Sequence, residues 1–243
     1  EIEDAIRFID TPFTTCPITR APGGVVCSTI TREPGGAVSS VTFRPENLSL
    51  AQVEGVDLSL EIEADPPRWL RFAPGARLHW RTLGTIYFNR GEAETDNSPF
   101  IDCAGGFALF CKVAVGLDDG AGTAFPDRRL TSTLSYSTDR WSASVRWRWL
   151  DGVDNLAPVF AALSNQPPPN LPIPRVGERS YLDLAFSAEL SERARLRLGV
   201  DNVLEEEPPL LGDEQSQSNT DPSLYDVFGR RFFIGFEWRF GGQ

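Results

Sequence analysis

The sequence has no methionine, one lysine (Lys112) and one histidine (His79). Each scarcity removes a class of function. With so little lysine and a formal net charge of −11, the chain is not built to hold a nucleic-acid backbone, which requires concentrated positive charge. A lone histidine leaves too few nitrogen ligands for a Cys/His zinc site, and no tight C-x-x-C spacing replaces them. Without a nucleophile motif around it, His79 is also thin support for hydrolysis, so no catalytic residue and no cofactor is assigned. The glycine-rich "DCAGGF" is followed by neither a GK[ST] step nor a helical pattern, which excludes a phosphate loop. Apolar runs such as "VFAAL" and "GGFALFC" fall far short of the ~20 residues of a membrane-spanning helix. The opening "EIEDAIRFI" shows no basic or apolar leader, and the chain is expected to be the C-terminal portion of a longer one.

Cysteine is scarce as well: four residues in two close pairs, Cys16 with Cys27 and Cys103 with Cys111. Both pairs lie in stretches rich in Gly, Pro, Asp or Thr, which read as loops. Two local loop disulfides are expected, and with them an oxidising compartment. The acidic loop residues Glu92, Glu94, Asp96, Asp102, Asp118 and Asp119 read first as solvated surface, with repulsion of anions or binding of divalent cations as the alternatives.

What the chain has in abundance is alternation. "WSASVRWRW" sets Trp141, Ala143, Val145, Trp147 and Trp149 against Ser142, Ser144, Arg146 and Arg148. "SYLDLAFSAEL", "ARLRLGV", "RLTSTLSY", "ARLHWRTLGTIYF" and "EGVDLSLEIEA" follow the same rule. So does the closing "RRFFIGFEWRF", with Phe232, Ile234, Phe236, Trp238 and Phe240 on one face. Period two marks strands with unlike faces, and eight are expected, including a short first one near residues 2–9. Short turns near 65–75, 138–140 and 191–193 alternate with long loops near 10–37, 91–127, 152–178 and 205–228. Short turns at one end and long loops at the other are the pattern of an outer-membrane barrel.

A soluble sandwich also alternates, so the choice rests on three further features. Aromatic residues gather near strand ends of the apolar face, as interfacial girdles do. Ionised residues sit mid-strand on the other face, which suits a wet lumen. The alternating segments run about 9–11 residues, the length of a tilted membrane strand. The apolar face is therefore expected to meet lipid, with His79, Arg81, Arg146, Arg148, Arg195 and Arg197 facing the lumen. Arg146, Arg148, Arg195 and Arg197 are expected to pair with Asp183, Glu189, Asp201 and Glu237 on neighbouring strands, with attraction of an anionic ligand or contact with a plug as the alternative. Tyr87, Phe88 and Asn89, at the long-loop rim, are candidates for ligand contact. So charged an interior calls for a wider arc than eight strands close. A secreted β-sandwich binding module and a passive porin-like barrel are the alternatives.

The last quarter adds a resemblance. "LRLGVDNVLEEEPP" followed by "NTDPSLYDVFGRRFFIGFEWRF" resembles the C-terminal end of TonB-dependent outer-membrane receptors. The matching positions are Asn202, Val203, Leu204, Pro208 and Pro209, then Tyr225, Asp226, Gly229, Arg230 and Arg231. The match is strongest over 179–240. It implies an all-β, antiparallel, up-and-down transmembrane barrel of about 22 strands around a plug, residues 1–240 supplying about eight C-terminal strands. Long loops would then be extracellular and short turns periplasmic, in the bacterial outer membrane. It also implies TonB-driven uptake of a siderophore, cobalamin or oligosaccharide, with membrane lipid, a plug domain and TonB as partners. Phe236, Trp238 and Phe240 would belong to the barrel-assembly signal. The chain departs from the family in having no plug segment and in a tail, residues 241–243, beyond the terminal aromatic.

Overall fold

The computed structural model describes residues 2–3, 6–8, 25–42, 45–47, 50–93, 99–108, 111, 124–211 and 219–240. Alternation becomes one nine-stranded sheet. Its strands are β1 (Ile2–Glu3), β2 (Leu50–Ala64), β3 (Arg77–Ala93), β4 (Ile101–Asp102) and β5 (Arg128–Ser137). They continue as β6 (Trp141–Leu150), β7 (Arg179–Ser191), β8 (Ala194–Asp201) and β9 (Arg231–Trp238). The order is β1-β2-β3-β5-β6-β7-β8-β9, every pair antiparallel, with β4 against the far end of β3. The long strands form an up-and-down meander. The expected first strand is split, because Ile6–Phe8 leaves the sheet to pair with Pro45–Asn47. Two-residue β4 is too short to show a period.

Register brings like beside like. Leu130↔Trp149, Val145↔Leu184 and Leu198↔Ile234 align the apolar face, while Arg146↔Asp183 and Glu189↔Arg195↔Glu237 align opposite charges. At the short-turn end, β5 and β6 are joined by 138–140, where Thr138 Oγ1 accepts the Trp141 N–H at 3.0 Å. The β2–β3 turn contains a 3-10 helix, Arg68–Leu70. Tyr136 Oη fastens that turn down, donating to Leu70 O at 2.9 Å and accepting from Phe72 N–H at 3.1 Å.

No second layer covers the apolar face among the described residues. Each long strand makes its main strand contacts with its hydrogen-bonded neighbours, and Phe232 and Ile234 are 75% and 76% exposed. The buried clusters lie instead in the long loops. Phe107, Val153, Val176, Leu211 and Tyr225 form one, and Cys103, Ala108, Cys111 and Phe160 the other. A small sheet of Gly106–Phe107, Ala124–Phe125, Val153–Asn155 and Arg175–Val176 organises the first. The helix Ala157–Leu163 supplies Phe160 to the second; Asn155 Oδ1 accepts the Ala157 N–H at its start. Cys103 and Cys111 are bonded, with Cα atoms 5.7 Å apart. Cys27 is also disulfide-bonded. Its expected partner Cys16 lies outside the described residues, as do Glu94, Asp96, Asp118, Asp119 and the 241–243 tail.

Candidate functional site

The polar face is organised around one buried carboxylate. Asp183, in the middle of the β6–β7–β8 ladder, is 4% exposed. Its oxygens accept from Arg146 Nε at 2.8 Å, from Arg148 Nε and Nη2 at 2.9 and 3.1 Å, and from the Asn202 backbone N–H at 2.9 Å. Asp201 and Asp226 extend the network through Arg146, Arg148 and Arg231 at 3.6–3.9 Å. Arg148 stacks on the buried ring of Tyr181 at 4.9 Å, and Tyr181 Oη accepts the Asp226 N–H. These contacts give physical content to residues that sequence resemblance singled out. Asn202 takes a left-handed turn, φ 52°, which its side chain stabilises through both polar groups of Glu206's backbone. Gly229, φ 67°, lets the chain double back so that Asp226 and Arg231 meet. Tyr225 is buried in the loop core, where burial and then the nearby Asp221 carboxylate push its phenol pKa upward.

The other sequence-selected residues fall on the same face but in separate groups. Arg195 Nε donates to Glu189 Oε1 at 2.6 Å, and Arg197 meets Glu237 at 3.3 Å. His79 Nε2 lies 2.7 Å from Glu61 Oε1. Arg81 makes no ion pair with any described residue.

A second polar group escapes plain alternation. β3 carries a bulge: Gly55 pairs with Tyr87 and Glu54 with Asn89, leaving Phe88 over. Strict alternation puts Arg90 beside Phe88; the bulge turns it to the side of Tyr87. The Arg90 guanidinium lies 5.5 Å from the Tyr87 ring and 4.4 Å from the Phe125 ring, and Arg129 reaches Tyr87 Oη at 2.9 Å. Neither guanidinium has a carboxylate partner among the described residues, and Arg90 Nε is buried without a hydrogen bond. The sequence signal that could have found this is Gly55: a Cβ there would sit against Ile86 O and the Tyr87 Cα, so the bulge needs a glycine.

The apolar face carries aromatics at both ends. At the short-turn end, Phe72, Tyr136, Trp141 and Phe186 follow one another with ring centroids 5.1–6.1 Å apart. Phe236, Trp238 and Phe240 make a second such run at 6.2 and 6.4 Å. At the other end, Trp147 and Trp149 donate to Ser180 Oγ and Glu178 Oε2 at 2.6 and 3.0 Å. Trp141 and Trp149 stand about 26 Å apart along β6 at ~3.3 Å per residue. An open groove of about 870 Å³, walled by Tyr136, Trp141, Leu184, Phe186 and Ile234 among others, crosses this face.

No protein-family model matches the chain, and no curated protein matches its sequence. Solved structures do match. One variant of the ferric enterobactin receptor of Pseudomonas aeruginosa is 17% identical, over 97% of this chain and 27% of the receptor, with a TM-score of 0.56. A second variant of that receptor is 19% identical, over 83% of this chain and 24% of the receptor, with a TM-score of 0.52. The chain thus spans about a quarter of the length of these receptors. The likeness is one of fold: the chain's antiparallel sheet matches part of the β-barrel of these receptors.

Proposed function

We propose that residues 1–240 are the C-terminal part of an outer-membrane barrel that takes up a scarce ligand with energy supplied through TonB, and that the chain is not an enzyme. The observation that carries this reading is the continuous, exposed apolar sheet face with no second sheet on it among the described residues, only the β2–β3 turn touching its short-turn end. A water-soluble sandwich would bury that face against a second sheet. Lipid is the medium that suits it, which leaves the polar face with Asp183 and its arginines toward the lumen and the plug. Among siderophore, cobalamin and oligosaccharide ligands, the Tyr87, Arg90 and Arg129 group favours a siderophore, because guanidiniums without carboxylates beside aromatic rings suit an anionic, ring-bearing ligand. The structural neighbour's own ligand, ferric enterobactin, belongs to the same class.

Uptake of labelled ferric enterobactin by cells carrying the intact gene tests this. Uptake that needs TonB and falls about tenfold in Arg90→Gln/Arg129→Gln, the loss of roughly 1.4 kcal/mol of charge-assisted binding, is the expected result. Uptake indifferent to TonB would replace it with the passive-barrel reading.

A further inference from the structure

The short-turn end of the sheet carries positive charge that ligand uptake leaves unused. Segments 65–77, 138–140, 191–193 and 237–239 hold six arginines against four carboxylates, Asp65, Asp139, Glu192 and Glu237. Arg77 is paired with Asp65 and Arg239 with Glu237. Arg68, Arg71, Arg140 and Arg193 make no ion pair with any described residue; the Arg71 side chain reaches only Pro66 O, at 3.4 Å. All four are exposed. The β2–β3 turn folds onto the apolar face through Tyr136, so that Leu70 and Phe72 wall the groove, and Arg68 and Arg71 belong to the same turn. Arg140 precedes Trp141, which lines the same groove. Trp69 and Phe72 are 77% and 70% exposed beside these arginines. An aromatic next to a cation at the edge of an apolar band is the pattern of a water–lipid boundary.

We infer that this rim and groove seat one anionic phospholipid, its phosphate among Arg68, Arg71 and Arg140 and an acyl chain along the groove. Guanidinium forks match phosphate oxygens in pairs, and the net positive rim selects an anionic headgroup. The groove wall is apolar from Leu70 to Ile234, so the occupant needs a hydrocarbon part that free phosphate lacks. The inference rests on the apolar face meeting lipid, and the experiment separates the two.

The full chain in zwitterionic detergent is offered phosphatidylglycerol, phosphatidylcholine or inorganic phosphate, and bound molecules are counted by native mass spectrometry. Brominated phosphatidylcholine reports in parallel on tryptophan quenching at the apolar face. Phosphatidylglycerol should be retained well above phosphatidylcholine, and Arg68→Gln, Arg71→Gln and Arg140→Gln should each weaken it roughly fivefold. Lysine at these positions should keep much of the preference. Equal retention of the two lipids, or glutamine variants that bind like the parent, would overturn the seat while quenching still supports a lipid-facing surface. Inorganic phosphate binding as well as phosphatidylglycerol would also overturn it, since the hydrocarbon would then be idle. Absence of quenching would remove the lipid-facing surface itself, and the seat with it.

Discussion

Asp183 ties its own strand β7 to β6 and to the turn after β8, because one buried carboxylate accepts from two arginines and a backbone N–H. Replacing it by alanine leaves two guanidiniums facing each other without their shared anion, a change that costs about 3–5 kcal/mol at a buried ion pair. Asp201 and Asp226 remain close to Arg146 and Arg148, so the low end of that range is expected for Asp183→Ala in urea unfolding of the lipid-reconstituted protein. Tyr225 makes the opposite case. Its hydroxyl is buried with no hydrogen-bond partner, so Tyr225→Phe should change stability at pH 7 by less than about 1 kcal/mol. Because its folded pKa is raised, Tyr225 contributes fully below the unfolded value near 10, and that contribution is lost as pH rises toward the folded value. Stability should therefore fall above about pH 10 by up to ~1.4 kcal/mol per pH unit. In Tyr225→Phe that part of the alkaline slope should vanish.

β9 shows how an element turns parity into consequence. Ile234→Arg or Phe236→Arg would place charge on the exposed apolar face and should each cost about 2–4 kcal/mol near the bilayer midplane. Gly235, of opposite parity, has room: an added Cβ would meet only Arg197 Cβ at 3.7 Å, so Gly235→Ala should be tolerated. Spin labels at 234 and 236 should be relaxed by lipid-dissolved oxygen and those at 235 and 237 by a water-soluble reagent; the reverse pattern would turn the sheet inside out. Phe233, an aromatic on the charged face, lies over Gly199, where its ring fills the space a Cβ would take. The long strands could be read from the sequence because each keeps period two over most of its length, β3 as far as its bulge at Phe88. Cross-strand pairing followed the same logic, and Arg146, Arg195 and Arg197 found the carboxylates expected for them. Arg90 could not be read that way, since one extra residue at Phe88 reverses parity beyond it. Nor could the loop cores: Phe107, Val176, Leu211 and Tyr225 meet from four distant segments without any shared period.

For the molecule as a whole, the apolar face and the loop cores make different claims about solvent. A chain whose only buried clusters among the described residues lie in its loops should leave membranes only in detergent, and brominated lipid should quench its tryptophan fluorescence. A monomer soluble in buffer with unquenched tryptophans would refute the barrel reading. The meander carries one more implication, about time rather than place. Since every long strand is bonded to its neighbour in the chain, neighbours in space are also neighbours in the order of synthesis. Assembly of this sheet can then proceed hairpin by hairpin, each new pair templated on the edge the last one left open, with only the edge strand β9 left to find a partner beyond it. The disulfide-clamped loop between β4 and β5 and the helix-bearing loop between β6 and β7 pack on each other through Phe160. These loops form the bulkiest cargo of that sequence, and their crossing, rather than the pairing of strands, is the step that should set its pace.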